Sequence, residues 1–176
     1  MENSEFAVAR GQPPKMVQRL AELLQQNSFV VWLNGNPYAA VAIEAVHYFS
    51  MFVLVGSITI LDLQILGVSG RRHNSTQLAD RLFPGVWAAV TLNSLSGLLM
   101  FAGQAVSYVF TSIFQLKVAV VLLALLFAVI VQRAVPKWDQ MPATPLEARI
   151  VAFVSLILWV AAVIAGVQVP AISGIG

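Results

Sequence analysis

Four apolar blocks, each near the roughly 20 residues with which a helix crosses about 30 Å of hydrocarbon, decide what this chain can become. They run from about Tyr38 to Leu66, Trp87 to Val109, Phe114 to Val131 and Ile150 to Val169. Composition agrees: 59% of the 176 residues are hydrophobic and 10% are charged, whereas a soluble domain carries roughly a quarter charged residues. A soluble fold with so few charges could not cover its surface with polar side chains. The sequence therefore predicts an all-α protein, a four-helix transmembrane bundle over residues 38–172 with an N-terminal amphipathic interfacial helix.

That helix is expected at 15–33. Met16, Leu20, Leu23 and Leu24 share one side, and Gln18, Arg19, Glu22 and Gln25 lie elsewhere, the pattern of a helix lying in the membrane interface. Residues 1–14, with Gly11 and the Pro13-Pro14 pair, show no apolar period and are expected to form a flexible tail. They lack the basic start and compact apolar run of a cleavable signal. Asn34-Gly35-Asn36-Pro37 is a dense turn signal before the first span. That span is nearly thirty residues long and has to tilt or protrude.

The sequence excludes several function classes. With no cysteine, the chain has no disulfide, iron–sulfur ligand, thiolate zinc site or cysteine nucleophile. A formal charge of +2 is too small and dispersed for a nucleic-acid surface. There is no G-x-x-x-x-G-K phosphate loop, no paired carboxylates on a soluble scaffold and no internal repeat. Basic residues instead read as orientation signals. Arg71, Arg72 and Arg81 in one loop and Arg133, Lys137 and Arg149 in another face Arg10, Lys15, Arg19 and Lys117 on the opposite side. Six against four places the two longer loops, 67–84 and 132–149, in the cytoplasm and both termini outside, in a bacterial inner membrane.

Polar groups inside hydrocarbon are costly unless partnered, so function is sought there. Glu44, His47 and Met51 follow one another at i, i+3 and i+7 on the first span. Carried through the topology, the same half of the bilayer holds Met100 and Gln104, Gln115 and Lys117, and Gln168 of the fourth span. Three readings compete. In a haem site His47 ligates iron, Met100 or Met51 supplies a second axial ligand, Lys117 pairs with a propionate and Glu44 belongs to the same polar set. In a copper site the ligands are His47, Met51 and Met100. In the third, the methionines pack and Glu44, His47 and Lys117 satisfy one another, as in a noncatalytic subunit or scaffold. His73 lies beyond the other end of the first span, so a bis-histidine haem would need two protomers.

Weaker polar features read structurally. Asp62 is expected as a solvated interfacial carboxylate within reach of Arg71, Arg72 or Arg81. Asn93, Ser94 and Ser96 are expected to bond between helices, and Gly97, Ala102 and Gly103 to allow close packing. Trp87 and Trp138 are expected as interfacial anchors, and Trp159 has no assigned cofactor role.

His47 through Gly67, reading HYFSMFVLVGSITILDLQILG, resembles the bacterial membrane proteins grouped as domain of unknown function 6644. The likeness rests on His47, Gly56 and the ending Asp62-Leu63-Gln64-Ile65-Leu66-Gly67. It continues through Leu98-Leu99-Met100-Phe101 and Phe114-Gln115-Leu116-Lys117. It carries no activity. The layout is more distantly similar to copper-resistance D proteins and to haem-containing membrane protoporphyrinogen oxidases, a similarity that implies at most one cofactor at His47. The expectation is a small electron-transfer subunit with one b-type haem, working with other membrane subunits or as a homo-oligomer, and possible contact with quinone. Copper binding or transport and a noncatalytic scaffold remain the alternatives.

Overall fold

The computed structural model describes residues 15–68 and 74–173, with side chains up to Gly166. The expected tail 1–14, Arg71, Arg72, His73 and the Gln168 side chain lie outside what is described. Among the described residues every regular element is a helix, with no strand. Four helices are long and apolar enough to cross a membrane: α3 (Pro37–Leu66), α4 (Ser75–Gly103), α6 (Ser112–Asp139) and α7 (Leu146–Ser173). Three short ones, α1 (Lys15–Gln25), α2 (Ser28–Gly35) and α5 (Ala105–Val109), gather at the end where α3 begins and α4 finishes.

Asparagines set several helix starts. Asn27 accepts from Phe29 N, and Asn36 accepts from Tyr38 N and Ala39 N just ahead of Pro37, whose missing N–H is one the first turn leaves unbonded. The Asn27 cap divides the expected single helix 15–33 into α1 and α2. Asn74 accepts from Gln77 N, and this cap explains a larger difference. The second span starts at Ser75, not Trp87, so most of the expected loop 67–84 is helix. It runs through Pro84 and stops at Gly103, six residues before the expected Val109. Likewise α6 continues through Pro136 to Asp139. Polar composition alone had suggested loops at these two places, but capped, membrane-supported helices tolerate both features.

α3 ends in a left-handed turn at Gly67 (φ 84°), whose N–H reaches Gln64 O while Val68 N–H reaches Leu63 O at 3.1 Å. Only glycine adopts that conformation without strain, which gives the L-G ending of the motif its physical reason.

The four long helices form two close pairs, α3 with α4 and α6 with α7, joined by looser α3–α7 and α4–α6 contacts. The core is lopsided. Leu54, Ile58, Leu61 and Ile65 meet Phe83, Val86 and Ala89, then Ala124, Ala128, Val131 and Val135, then Ala148, Ala152 and Trp159. Most of these lie in the half toward Gly67. Trp138 belongs to this core at 7% exposure and is no interfacial anchor: its indole donates to Glu147 Oε1 at 3.0 Å, tying α6 to α7. Trp87, half-buried, donates to Gln132 Oε1 at 3.0 Å.

At the same end Asp139 Oδ2 accepts from Thr76 N at 2.6 Å and from Thr76 Oγ1 at 2.7 Å. A carboxylate at the first turn of α4 also meets the positive end of its dipole. Asp139→Ala is expected to destabilise the detergent-solubilised protein by about 1 kcal/mol, the net value of an exposed charged hydrogen-bond pair. Thermal unfolding followed by circular dichroism measures this, and an unchanged midpoint would remove the tie from the account.

Candidate ligand site at His47

The half of the bundle away from the core is open. A cavity of about 140 Å³ lies between the four long helices, walled by His47, Met51, Asn93, Gly97, Met100 and Lys117 and by the aromatic rings of Tyr48, Phe101, Tyr108, Phe114 and Trp159. Phe114 stacks on Phe101 at 5.1 Å and on Tyr108 at 5.7 Å, and these rings line the end toward α5. The Tyr108 hydroxyl, outside the spans, has its pKa raised above the ordinary value by burial, so it stands as a neutral donor at neutral pH.

His47 is held from one side. Its Nδ1 lies 3.1 Å from Asn93 O and 3.1 Å from Ser96 Oγ. A backbone carbonyl only accepts, and the Ser96 hydroxyl already donates to Leu92 O at 2.7 Å. Both neighbours are therefore acceptors, and Nδ1 carries the proton. The clamp is mutual, because Asn93 Nδ2 donates to His47 O at 2.8 Å and to Ser50 Oγ at 3.3 Å. Gly97 lets the ring sit this close: a Cβ there would lie 3.1 Å from His47 Cε1. Nε2 is left with its lone pair and no partner among the described residues. A histidine whose Nδ1–H is tied to a carbonyl, with Nε2 free, is oriented as ligating histidines are.

Of the residues singled out in the sequence, His47, Met51, Met100 and Lys117 come together here. Lys117 rests beside Gly166, where a Cβ would lie 3.8 Å from Nζ. It has no carboxylate partner among the described residues. Glu44 does not join it. It lines a neighbouring cavity of about 180 Å³ with Asn34, Gln104 and Gly103, divided from the first by Met100 and Tyr108, which wall both. A three-residue step turns about 60° around a helix, enough to send Glu44 and His47 into different spaces. No hydrogen bond joins Glu44, His47 and Lys117 among the described residues; the ring of His47 is bonded by the Asn93–Ser96 clamp instead. Gln115 is exposed and donates to Val109 O at 3.1 Å, away from the cavity. Tyr108, Phe114 and Trp159 were not assigned to the site from sequence. The run Ser155, Trp159, Ala162, Gly166 at helical spacing was the available signal for Trp159.

The model of the family of unknown function DUF6644 matches residues 25–171. The chain belongs to that family. The match takes in α2 through most of α7 and so covers both cavities and every residue of the clamp. Neither curated proteins nor solved structures yield a match. Membership carries the fold region of the family and no activity.

The clamp makes a spectroscopic prediction. In ¹⁵N-histidine-labelled protein, His47 should be the neutral Nδ1–H tautomer at neutral pH, its signal assigned by comparison with a His73→Gln sample. Asn93→Ala should weaken the preference for that tautomer, whereas an Nε2–H form in the unmutated protein would contradict the clamp.

Proposed function

We propose that this protein is a small membrane subunit that binds one redox cofactor, b-type haem, through His47 and passes electrons to or from a membrane partner or quinone. The observation that carries the reading is the imidazole whose Nδ1 is fixed by Asn93 O and Ser96 Oγ, leaving Nε2 as the free donor atom in a helix-bundle cavity. Lys117 supports haem over a bare metal cation. An ammonium in the cavity repels a second cation and attracts a carboxylate such as a propionate. Met100 and Met51 line the same space and offer thioether sulfur as a second axial ligand. Bound there, haem would supply one-electron chemistry.

The space is small. About 140 Å³ is below the roughly 300–1,000 Å³ of pockets for drug-sized ligands, so a porphyrin would require the cavity to widen by movement of the helices. The same smallness favours the second reading, a copper site of His47, Met51 and Met100, which asks for no such movement. A noncatalytic scaffold is the third reading, and it requires neither group.

The basic loop ends, with Arg81, Arg133, Lys137 and Arg149 at the Gly67 end of the bundle and Lys15 and Arg19 at the other, support a bacterial inner-membrane orientation with periplasmic termini.

Purified protein should show a Soret band and stoichiometric iron. His47→Ala should abolish the band, and Lys117→Met should weaken haem binding about tenfold, or ~1.4 kcal/mol. Iron-free, colourless protein that takes up monovalent copper in a His47- and Met100-dependent manner would replace haem with copper. Protein without either, whose His47→Ala variant changes only stability, would leave the scaffold.

A further inference from the structure

α3 carries a carboxyl that the cavity does not use. Asp62, near the Gly67 end of the span, was expected in solvated contact with the loop arginines. It is instead 0% exposed, on the α3 face formed by Leu54, Ile58, Leu61 and Ile65. That face packs on α7, and the side chain acting on the carboxyl is Ser155, also 0% exposed. Neither carboxyl oxygen nor Ser155 Oγ attains hydrogen-bond geometry in the described structure, and Trp159 Nε1, one turn further along α7, is buried without a partner as well.

Asp80 and Arg81 on α4, Arg133, Lys137 and Asp139 on α6, and Glu147 and Arg149 on α7 cluster at the same end of the bundle. None of them forms a hydrogen bond with Asp62 among the described residues. An ionised carboxylate would therefore stand in the packed interior of the bundle with no countercharge among the described residues, which is costly. A carboxyl that keeps its proton has no such requirement. It becomes an O–H donor, and the Ser155 oxygen is an acceptor placed against it. A metal cation is a poorer occupant. Calcium takes six to eight oxygens and magnesium a near-octahedral set, whereas the side chains here offer two carboxyl oxygens and one hydroxyl, and no cluster of three acidic or histidine side chains occurs among the described residues.

We propose that Asp62 is a proton-binding site inside the membrane bundle, with Ser155 as the hydroxyl that receives the acid's hydrogen bond. The proton exchanges toward the nearer end of α3, because Asp62 is four residues, about 6 Å of helix rise, from Leu66. The site stands whatever the His47 cavity holds, since it shares no ligating residue with it.

The test uses the full-length protein in detergent. Infrared spectroscopy at neutral pH should show a carboxylic-acid C=O band that Asp62→Asn removes, and the band should shift on transfer to D₂O and disappear as the medium is made alkaline. Ser155→Ala should move it to higher frequency by taking away the acceptor. In parallel, dicyclohexylcarbodiimide, which reacts with protonated carboxyls in apolar surroundings, should label the Asp62 peptide at neutral pH and lose that labelling in alkali. Asn is close in shape to the neutral acid, so Asp62→Asn should fold with an unchanged or raised melting temperature. A carboxylate band at neutral pH would overturn the proposal, as would an acid band that neither exchanges nor titrates. If Asp62→Asn fails to fold, the wild-type titration and the labelled peptide decide.

Discussion

Helices already dissolved in lipid gain little by hiding apolar side chains from an equally apolar solvent, so they hold together by close approach and by polar bonds between them. This chain meets that constraint differently in its two halves. Toward Gly67 it uses small residues: Ala124 and Ala128 on α6 and Ala148, Ala152 and Ser155 on α7 are all at 0% exposure. Their i, i+4 spacing lets the helices approach along a stripe, and Val131, Val135, Phe83 and Ile58 fill the remaining space. Toward α5 the joints are polar. The His47–Asn93–Ser96–Ser50 set links α3 to α4, Asn34 donates to Gly103 O at 3.2 Å, and Gln25 accepts from Val106 N at 3.3 Å. Polar joints fix direction without filling volume, and the two larger cavities described above lie in this half.

The bundle was legible because span length and composition are properties of a segment and need no knowledge of its neighbours. Helix ends were less so. Reading 67–84 as a loop gave weight to its arginines and to Pro84, but Asn74 followed by Ser75, Thr76 and Gln77 is a capping sequence, and its signal is local and short. The break at Asn27 has the same origin. In each case one side-chain oxygen satisfying a first-turn N–H outweighed the average character of the residues around it.

The site was legible in part for a similar reason. His47, Met51, Met100 and Lys117 could be brought together from helix direction and depth alone, because an antiparallel hairpin fixes depth. Depth does not fix the azimuth of a side chain. Glu44 shares the depth of His47 and faces another space. Asp62 has the depth of an interfacial residue, yet Leu54, Ile58, Leu61 and Ile65 surround it at helical spacing and mark its face as the buried one. Its neighbours in sequence carried more information than its distance from the helix end. Trp159 likewise belongs to the Ala152, Ser155, Ala162 face of α7 and so reaches the cavity wall.

Asp62 and Lys117 bear on each other through their separation. His47, which shares the Lys117 cavity, is fifteen residues from Asp62 on one helix, about 22 Å of rise, beyond the range at which two side chains neutralise one another. A bundle that brought them together would have had a buried ion pair and no call for outside partners. Kept apart, neither has a charged partner among the described residues, which is why we propose an anion for the open half and a proton for the packed half. Fully buried Ala148 and Ala152 accompany Ser155 on α7, whereas the polar clamp at His47 borders a cavity of about 140 Å³. One packing asymmetry thus separates the two candidate sites: small side chains hold the end that contains Asp62, and hydrogen bonds hold the end that contains His47.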